Sequence, residues 1–200
     1  MTITLEKLDE RGRQIVFTGA RTSNTFADTP VSDEELKDIW ELTRWTPTMA
    51  NTQPMRVVFV RTPEGKERLV PLMAEGNQEK TKSAPVTAIV AYDKFWHEQI
   101  PTVFPIRPEM KDYFAADEEA RHGVGNFSAA LQAGAFILAI RAAGLAAGPM
   151  AGYDKDAIDK EFFPDGNWTT LMVVNIGHPG ENPWFDRLPR VEVETAVQWA

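Results

Sequence analysis

The sequence predicts a single α+β domain, and two observations carry that reading. Three strands of buried character stand among several helices without the regular strand–helix–strand alternation of a doubly wound sheet. The one near match to a dinucleotide fingerprint, Gly123-Val124-Gly125-Asn126-Phe127-Ser128, lacks the third glycine and follows no strand. At 200 residues, with no internal repeat or linker, residues 1–200 read as one domain. A chain of that length removes roughly 70% of its unfolded surface from water on folding.

The elements follow in order. Ser32 and Glu35 form a capping-box pattern, and Leu36, Ile39, Trp40 and Thr43 recur at helical spacing, which predicts a helix over about 33–45. It must end near Thr46, because Pro47 disfavours helical geometry in the residue before it. After a polar loop at 48–54, residues 56–61 read as a buried strand rich in Val and Phe. Residues 63–75 look helical with an interruption at Pro71, 76–83 is a polar segment, and 86–92 is a second buried strand. Residues 93–117 mix aromatics with Pro101, Pro105 and Pro108, suiting short helices or a flap, and form a candidate lid. The longest helix is expected over 118–145, with small residues at Ala129, Ala130, Ala133, Gly134 and Ala135 that permit close backbone approach at the core or a subunit interface. Gly144 and Gly148 mark its end. Asp154 then caps a short helix to about Phe163, and 170–176 is a third strand. Residues 180–200, proline-rich and aromatic, read as an arm lying across another surface.

Composition excludes several classes of function. The absence of cysteine rules out a disulfide framework, thiolate metal sites and a cysteine nucleophile, so any redox chemistry requires a bound cofactor. A net charge of −8 argues against general nucleic-acid binding, while leaving room for a local basic pocket. The longest apolar run, 129–145, is interrupted by Gln132, Gly134 and Arg141, and the charged start lacks the apolar core of a signal peptide. A cytoplasmic protein without a membrane partner is the expectation. His97, His122 and His178 are too scattered for a local metal set, and no serine sits in a nucleophile-elbow pattern.

The chemistry-bearing residues cluster in polar islands: Ala20-Arg21-Thr22-Ser23-Asn24, Pro47-Thr48-Met49-Ala50-Asn51-Thr52-Gln53-Pro54, Gly76-Asn77-Gln78-Glu79-Lys80 and Gly148-Pro149-Met150-Ala151-Gly152-Tyr153-Asp154. With Arg187-Leu188-Pro189, they resemble in order and spacing the flavin-contacting segments of the nitroreductase family, over nearly the whole chain. That resemblance implies a central, mostly antiparallel sheet flanked by helices, and an intertwined homodimer with a C-terminal extension. It also implies FMN as cofactor, NAD(P)H as donor and a small-molecule acceptor. Residues 28–34, 61–62, 64–69, 84–91 and 187–190 look most like the malonic semialdehyde reductases of pyrimidine degradation within that family. The chain departs from that subgroup at Thr46, where glycine is common, and Met49, where serine is common; both border the expected flavin.

The resemblance assigns roles residue by residue. Arg21 and Arg187 suit the FMN phosphate through permanent charge and paired donors, with Thr22, Ser23 and Asn24 beside them. Taken singly, each arginine reads equally as a surface ion-pair former. Asn77 and Lys80 match positions facing the pyrimidine edge of the flavin, the ammonium stabilising negative charge gathered on reduction. Alone, they read as a solvated turn. Pro149 and Met150 would pack the ring face, and the backbone of Ala151 and Gly152 would approach its hydride-accepting nitrogen. Many relatives carry Glu at the Ala151 position. Pro47, Thr48, Met49 and Asn51 correspond to a loop reaching the flavin, often from the partner subunit, while Ser128 reads as a flavin contact or a helix-packing residue.

The function so implied is hydride transfer from NAD(P)H through FMN to a small acceptor, malonic semialdehyde giving 3-hydroxypropionate or, more broadly, nitroaromatics and quinones. No acid–base side chain is nominated as catalytic. A flavin-binding protein without turnover and a cofactor-free interaction protein remain the rival classes.

Overall fold

The computed structural model describes residues 5–200; the first four residues of the charged start lie outside the described residues. Helix α1 (Glu10–Arg13) runs into one wide π turn, Gln14–Thr18. Helix α2 (Asp33–Thr43) opens on the expected capping box, Ser32 Oγ accepting the Glu35 N–H while the Glu35 carboxylate accepts the Ser32 N–H at 2.7 Å. Strand β1 (Met55–Val60) leads to α3 (Pro63–Leu69), with Thr62 capping and Pro63 in the first turn. A tight 3₁₀ turn through Val70–Leu72 carries Pro71 and stops the predicted helix short of Glu75. Helix α4 (Glu75–Ser83) and strand β2 (Val86–Asp93) follow, then the short helices α5 (Ile100–Val103) and α6 (Met110–Ala116). The long helix α7 (Glu118–Ala142) ends at Gly144, whose φ of +82° takes the chain out of the helix, and β3 (Ala146–Met150) begins at once. Helix α8 (Lys155–Phe162), capped by Asp154, strand β4 (Trp168–Gly177) and a last turn, α9 (Val193–Ala196), complete the chain.

The strands form one sheet, ordered β1-β2-β4-β3, antiparallel at every pairing. Because side chains alternate, β2 serves two cores. Val86, Ala88, Val90 and Tyr92 pack with Val174 and Ile176 against α2 and α7, whose Ile39, Phe136 and Ile140 are sealed from solvent. Ile89 and Ala91 face the other way with Val173, meeting Leu69, Met73, Ile158 and Phe163. Each fully buried Val, Leu, Ile, Phe or Met side chain among them contributes about 1.5–3 kcal/mol. The sheet is thus covered by helices on both faces.

Three features depart from the sequence reading. The sheet has a fourth strand: Ala146–Met150, expected only as the turn after the long helix, lies along β4 from Ala146↔Gly177 to Met150↔Val173. Its composition carries no β-branched residue, so its extended form is imposed by β4 and not by local preference. The polar segment 76–83 is helical in α4, which buries only Thr81 and therefore shows no apolar stripe to read. Finally, α7 is long and apolar enough by length and composition to cross a bilayer, despite Gln132, Gly134 and Arg141. It packs as the core helix of the domain on α2 and the sheet, leaving Phe127 and Leu131 exposed on its outer side.

The 93–117 region is built of short helices around its own small core of Trp96, Ile100 and Phe114. Trp96 Nε1 donates to the Arg121 carbonyl of α7 at 3.1 Å. Gly125, part of the rejected fingerprint, is there for packing: a Cβ would lie 2.6 Å from Trp96 Nε1.

Candidate functional site

Strand β3 is the spine of the site, because each of its ends is fastened to a different polar island. At its start, Thr22 forms an isolated parallel bridge with Ala147, and the Ser23 N–H donates to the Ala147 carbonyl at 3.0 Å. Gly148 permits that approach, since a Cβ there would stand 2.7 Å from the Ser23 carbonyl oxygen. Beyond its end, the Gly152 carbonyl accepts both the Ala74 N–H at 3.0 Å and Asn77 Nδ2 at 2.8 Å. At about 3.3 Å per residue, Ala147 and Gly152 lie roughly 17 Å apart along the chain. The first, third and fourth islands are thereby joined in one line.

The end near Thr22 is a basic cradle. A cavity of about 270 Å³ is lined by Arg21, Arg141, Arg187 and Arg190, with Thr22, Asn24 and one carboxylate, Asp186. The first stretch of the C-terminal arm builds half of it: Arg21 donates to the Phe185 carbonyl, Arg187 Nη2 to the Thr18 carbonyl at 2.9 Å, and the Asn24 N–H to the Pro183 carbonyl at 2.9 Å. Ser23 is fully buried and its Oγ donates to the Thr25 carbonyl at 2.8 Å, so its proton is committed inside the chain and not toward a ligand. Arg141, which the sequence reading passed over as an interruption of an apolar helix, has a buried Nε with no hydrogen-bond partner among the described residues. Four guanidinium groups against one carboxylate make a receptor for a compact anion of high charge.

The other end is a polar corner between α4 and the exit of β3. Met73 and Tyr153 form an antiparallel bridge, and the Asp154 N–H donates to the Leu72 carbonyl at 2.8 Å. Neither the Ala151 nor the Gly152 N–H enters the loop hydrogen bonds that fix this corner. Lys80, one turn along α4 from Asn77, has no side-chain hydrogen bond or ion pair among the described residues. Met150 behaves differently from the sequence expectation: strand alternation turns its side chain into the core with Leu69 and Val173, leaving Pro149 on the opposite face.

Beneath this corner runs a buried polar chain that sequence reasoning missed. Lys66 Nζ donates to the Thr81 carbonyl at 2.7 Å and to Thr87 Oγ1 at 2.5 Å. Thr87 Oγ1 donates in turn to Asn175 Oδ1 at 2.8 Å, and Asn175 Nδ2 reaches Thr81 Oγ1 at 3.4 Å and the Met150 sulfur at 3.8 Å. With no carboxylate to offset it, burial pushes the Lys66 ammonium down to a pKa of about 8.

The second island lies apart from both ends, at the start of β1. Ala50, Asn51 and Gln53 all hold positive φ, at 47°, 52° and 43°, a concentration of left-handed non-glycine residues that costs about 1 kcal/mol or more at each. The loop is held by Thr48 Oγ1, which accepts the Gln53 N–H at 3.2 Å, and by Asn51 Nδ2, which donates to the Val103 carbonyl at 2.7 Å. Asn51 thus ties the loop to the 93–117 region, while Pro47 and Met49 project into solvent. Ser128 is fully buried on α7, its Oγ without a hydrogen-bond partner among the described residues.

An α+β domain thus carries an arginine cradle and a polar corner joined by one strand. The nitroreductase family model matches residues 18–178, and the chain belongs to that family. It is 56% identical over 196 residues to a Streptomyces coelicolor protein named "Putative NADH dehydrogenase/NAD(P)H nitroreductase", covering 98% of this chain and 97% of that one. A Ralstonia nicotianae protein of the same name is 42% identical over 183 residues, covering 92% and 93%. Among solved structures, a nitroreductase-type protein from Exiguobacterium sibiricum in complex with FMN superposes with a TM-score of 0.80 at 21% identity, covering 99% of this chain and 100% of that one. At that identity the likeness speaks for the fold.

Proposed function

We propose that this chain is an FMN-dependent oxidoreductase that takes hydride from NAD(P)H and passes it to a small acceptor, acting as a cytoplasmic homodimer. The observation that carries the reading is β3 itself, a single strand with a basic cradle at its start and a polar corner past its end. The names of the close relatives, and the FMN in a protein of the same fold, agree with it.

FMN, when bound, supplies the two-electron chemistry, accepting hydride from the nicotinamide and returning it to the acceptor. The protein's residues bind, orient and polarise. Arg21 and Arg187 would hold the phosphate, with Thr22 and Asn24 beside them on the cavity wall, while Ser23, sealed beneath with its proton on the Thr25 carbonyl, fixes the segment and does not reach the ligand. Asn77, fixed by Gly152, presents its amide oxygen to the ring edge. The free ammonium of Lys80 favours negative charge at that edge, and the N–H groups of Ala151 and Gly152 meet the reacting side. Pro47, Thr48, Met49 and Asn51, apart from both ends of the site in their own chain, would reach the acceptor side of the flavin from the second copy in the dimer.

The homodimer reading rests on three exposed features. The β1 edge carries no strand partner among the described residues. The outer side of α7 shows Phe127 and Leu131, and the arm exposes Val191, Val193, Val197 and Trp199, the last 89% exposed. A second copy whose arm covers the first satisfies all three.

For the acceptor, the likeness of residues 28–34, 84–91 and 187–190 to the semialdehyde-reducing subgroup favours malonic semialdehyde. The relatives' names favour a nitro-group acceptor instead, and a flat quinone is the related alternative. NAD(P)H oxidation by the FMN-loaded dimer, followed with each acceptor in turn, separates them. Turnover with semialdehyde above that with menadione or nitrofurazone supports the first; turnover confined to the flat acceptors replaces it with the second.

A further inference from the structure

The cradle holds more positive charge than the two arginines assigned to a phosphate, and one of the extra groups is conspicuously unused. Arg141 sits in the last turn of α7 and lines both the 270 Å³ cradle and the adjoining 240 Å³ cavity, which also share Ala20 and Arg21. Its guanidinium makes no hydrogen bond or ion pair among the described residues, and Nε is shut off from water. Arg21 and Arg187, by contrast, are each anchored to backbone carbonyls. A buried guanidinium N–H without an acceptor, such as Arg141 Nε–H, is costly to keep unless something else satisfies it. The only carboxylate on the cradle wall, Asp186, gives Arg141 no ion pair. A helix C-terminus lends some compensation to a cation, yet supplies no partner for Nε.

Resting on the FMN reading above, we infer that Arg141 is a phosphate-binding residue that makes the cradle select phosphorylated flavin over riboflavin. Arg21 and Arg187 already give part of their hydrogen-bonding capacity to carbonyls, while all five Arg141 N–H groups lack an acceptor among the described residues. A dianionic phosphomonoester supplies the missing acceptors, and riboflavin does not.

The test compares wild type with Arg141→Met, Arg141→Gln and Arg141→Lys, stripped of flavin and titrated with FMN and with riboflavin by fluorescence quenching. Far-UV circular dichroism checks folding. The expected result is a tenfold to hundredfold weaker FMN affinity for Met and Gln, the range of a lost charge-assisted contact, with riboflavin affinity unchanged. Lys, which keeps the charge but loses the fork, should fall between. If FMN affinity is unchanged in a folded Met or Gln variant, or both flavins weaken equally, the assignment is overturned while FMN binding stands. A wild-type protein that binds neither flavin overturns the cofactor reading itself, and this inference with it.

Discussion

Asn77 and Gly152, 75 positions apart, are joined by a 2.8 Å hydrogen bond from the Asn77 amide to the Gly152 carbonyl, where the glycine lets the amide approach closely. A Cβ on residue 152 would stand 2.8 Å from Asn77 Nδ2 and 3.2 Å from Ala74 Cβ. Gly152→Ala should therefore turn the Asn77 amide aside and break its hydrogen bond to the residue 152 carbonyl, lowering stability by about 0.5–1.5 kcal/mol and weakening FMN binding together. Urea denaturation and flavin titration check the pair; a variant with both unchanged would show that the corner is not as tightly built as described.

The other end of β3 makes the matching case. In Gly148→Ala the new methyl would meet the Ser23 carbonyl at 2.7 Å, backbone that cannot swing aside as a side chain could. Loss of the Thr22–Ala147 bridge and about 1–3 kcal/mol of stability is expected. Amide hydrogen exchange should speed up at Ser23, whose N–H is bonded to Ala147.

Lys66 gives a pH dependence whose sign is fixed. Burial holds its folded pKa at about 8 against an ordinary lysine value of 10.5, so below pH 8 both states carry the proton and the folded state bears the whole cost of the buried charge. Between those values the unfolded chain binds more protons, and stability rises with pH by an amount of order 3 kcal/mol, levelling off above the upper value. In Lys66→Met that rise should vanish. Chemical denaturation at intervals from pH 7 to 10 measures both slopes, and parallel curves would remove Lys66 as the source.

Removal of residues 191–200 leaves Arg187 and Arg190 in the cradle but deletes the exposed Val197 and Trp199. Sedimentation equilibrium should show the full chain as a dimer and the shortened chain shifted toward monomer. An unchanged dimer would move the interface to the β1 edge and the α7 face of Phe127 and Leu131.

Much of this architecture is legible from residues near one another in the chain. Ser32 and Glu35 announce α2, the Val-rich runs announce β1 and β2, and Gly144 ends α7, because each signal is local. What escapes is what tertiary contact decides. Residues 146–150 become a strand only because β4 offers a ladder, and α4 is held through Asn77 and Thr81 and not through an apolar face. For the candidate site, the islands could be picked out by order and spacing, and Arg21, Thr22, Asn24 and Arg187 do share one cavity. Arg141 could not, since in sequence it is one charge in an apolar helix, and only the packing of α7 beside the 18–24 segment brings it to the cradle. The Lys66–Thr87–Asn175 chain is hidden for the same reason, its members being more than twenty residues apart.

The most direct measurement is an anaerobic absorbance spectrum of the purified protein, supplied with FMN and then with NADPH and, separately, NADH. The expected result is bound oxidised flavin whose bands bleach with at least one donor and return when an acceptor is added. Bound flavin that neither donor bleaches would contradict the oxidoreductase reading in favour of a binding protein, and a chain that takes up no FMN would contradict the central claim outright.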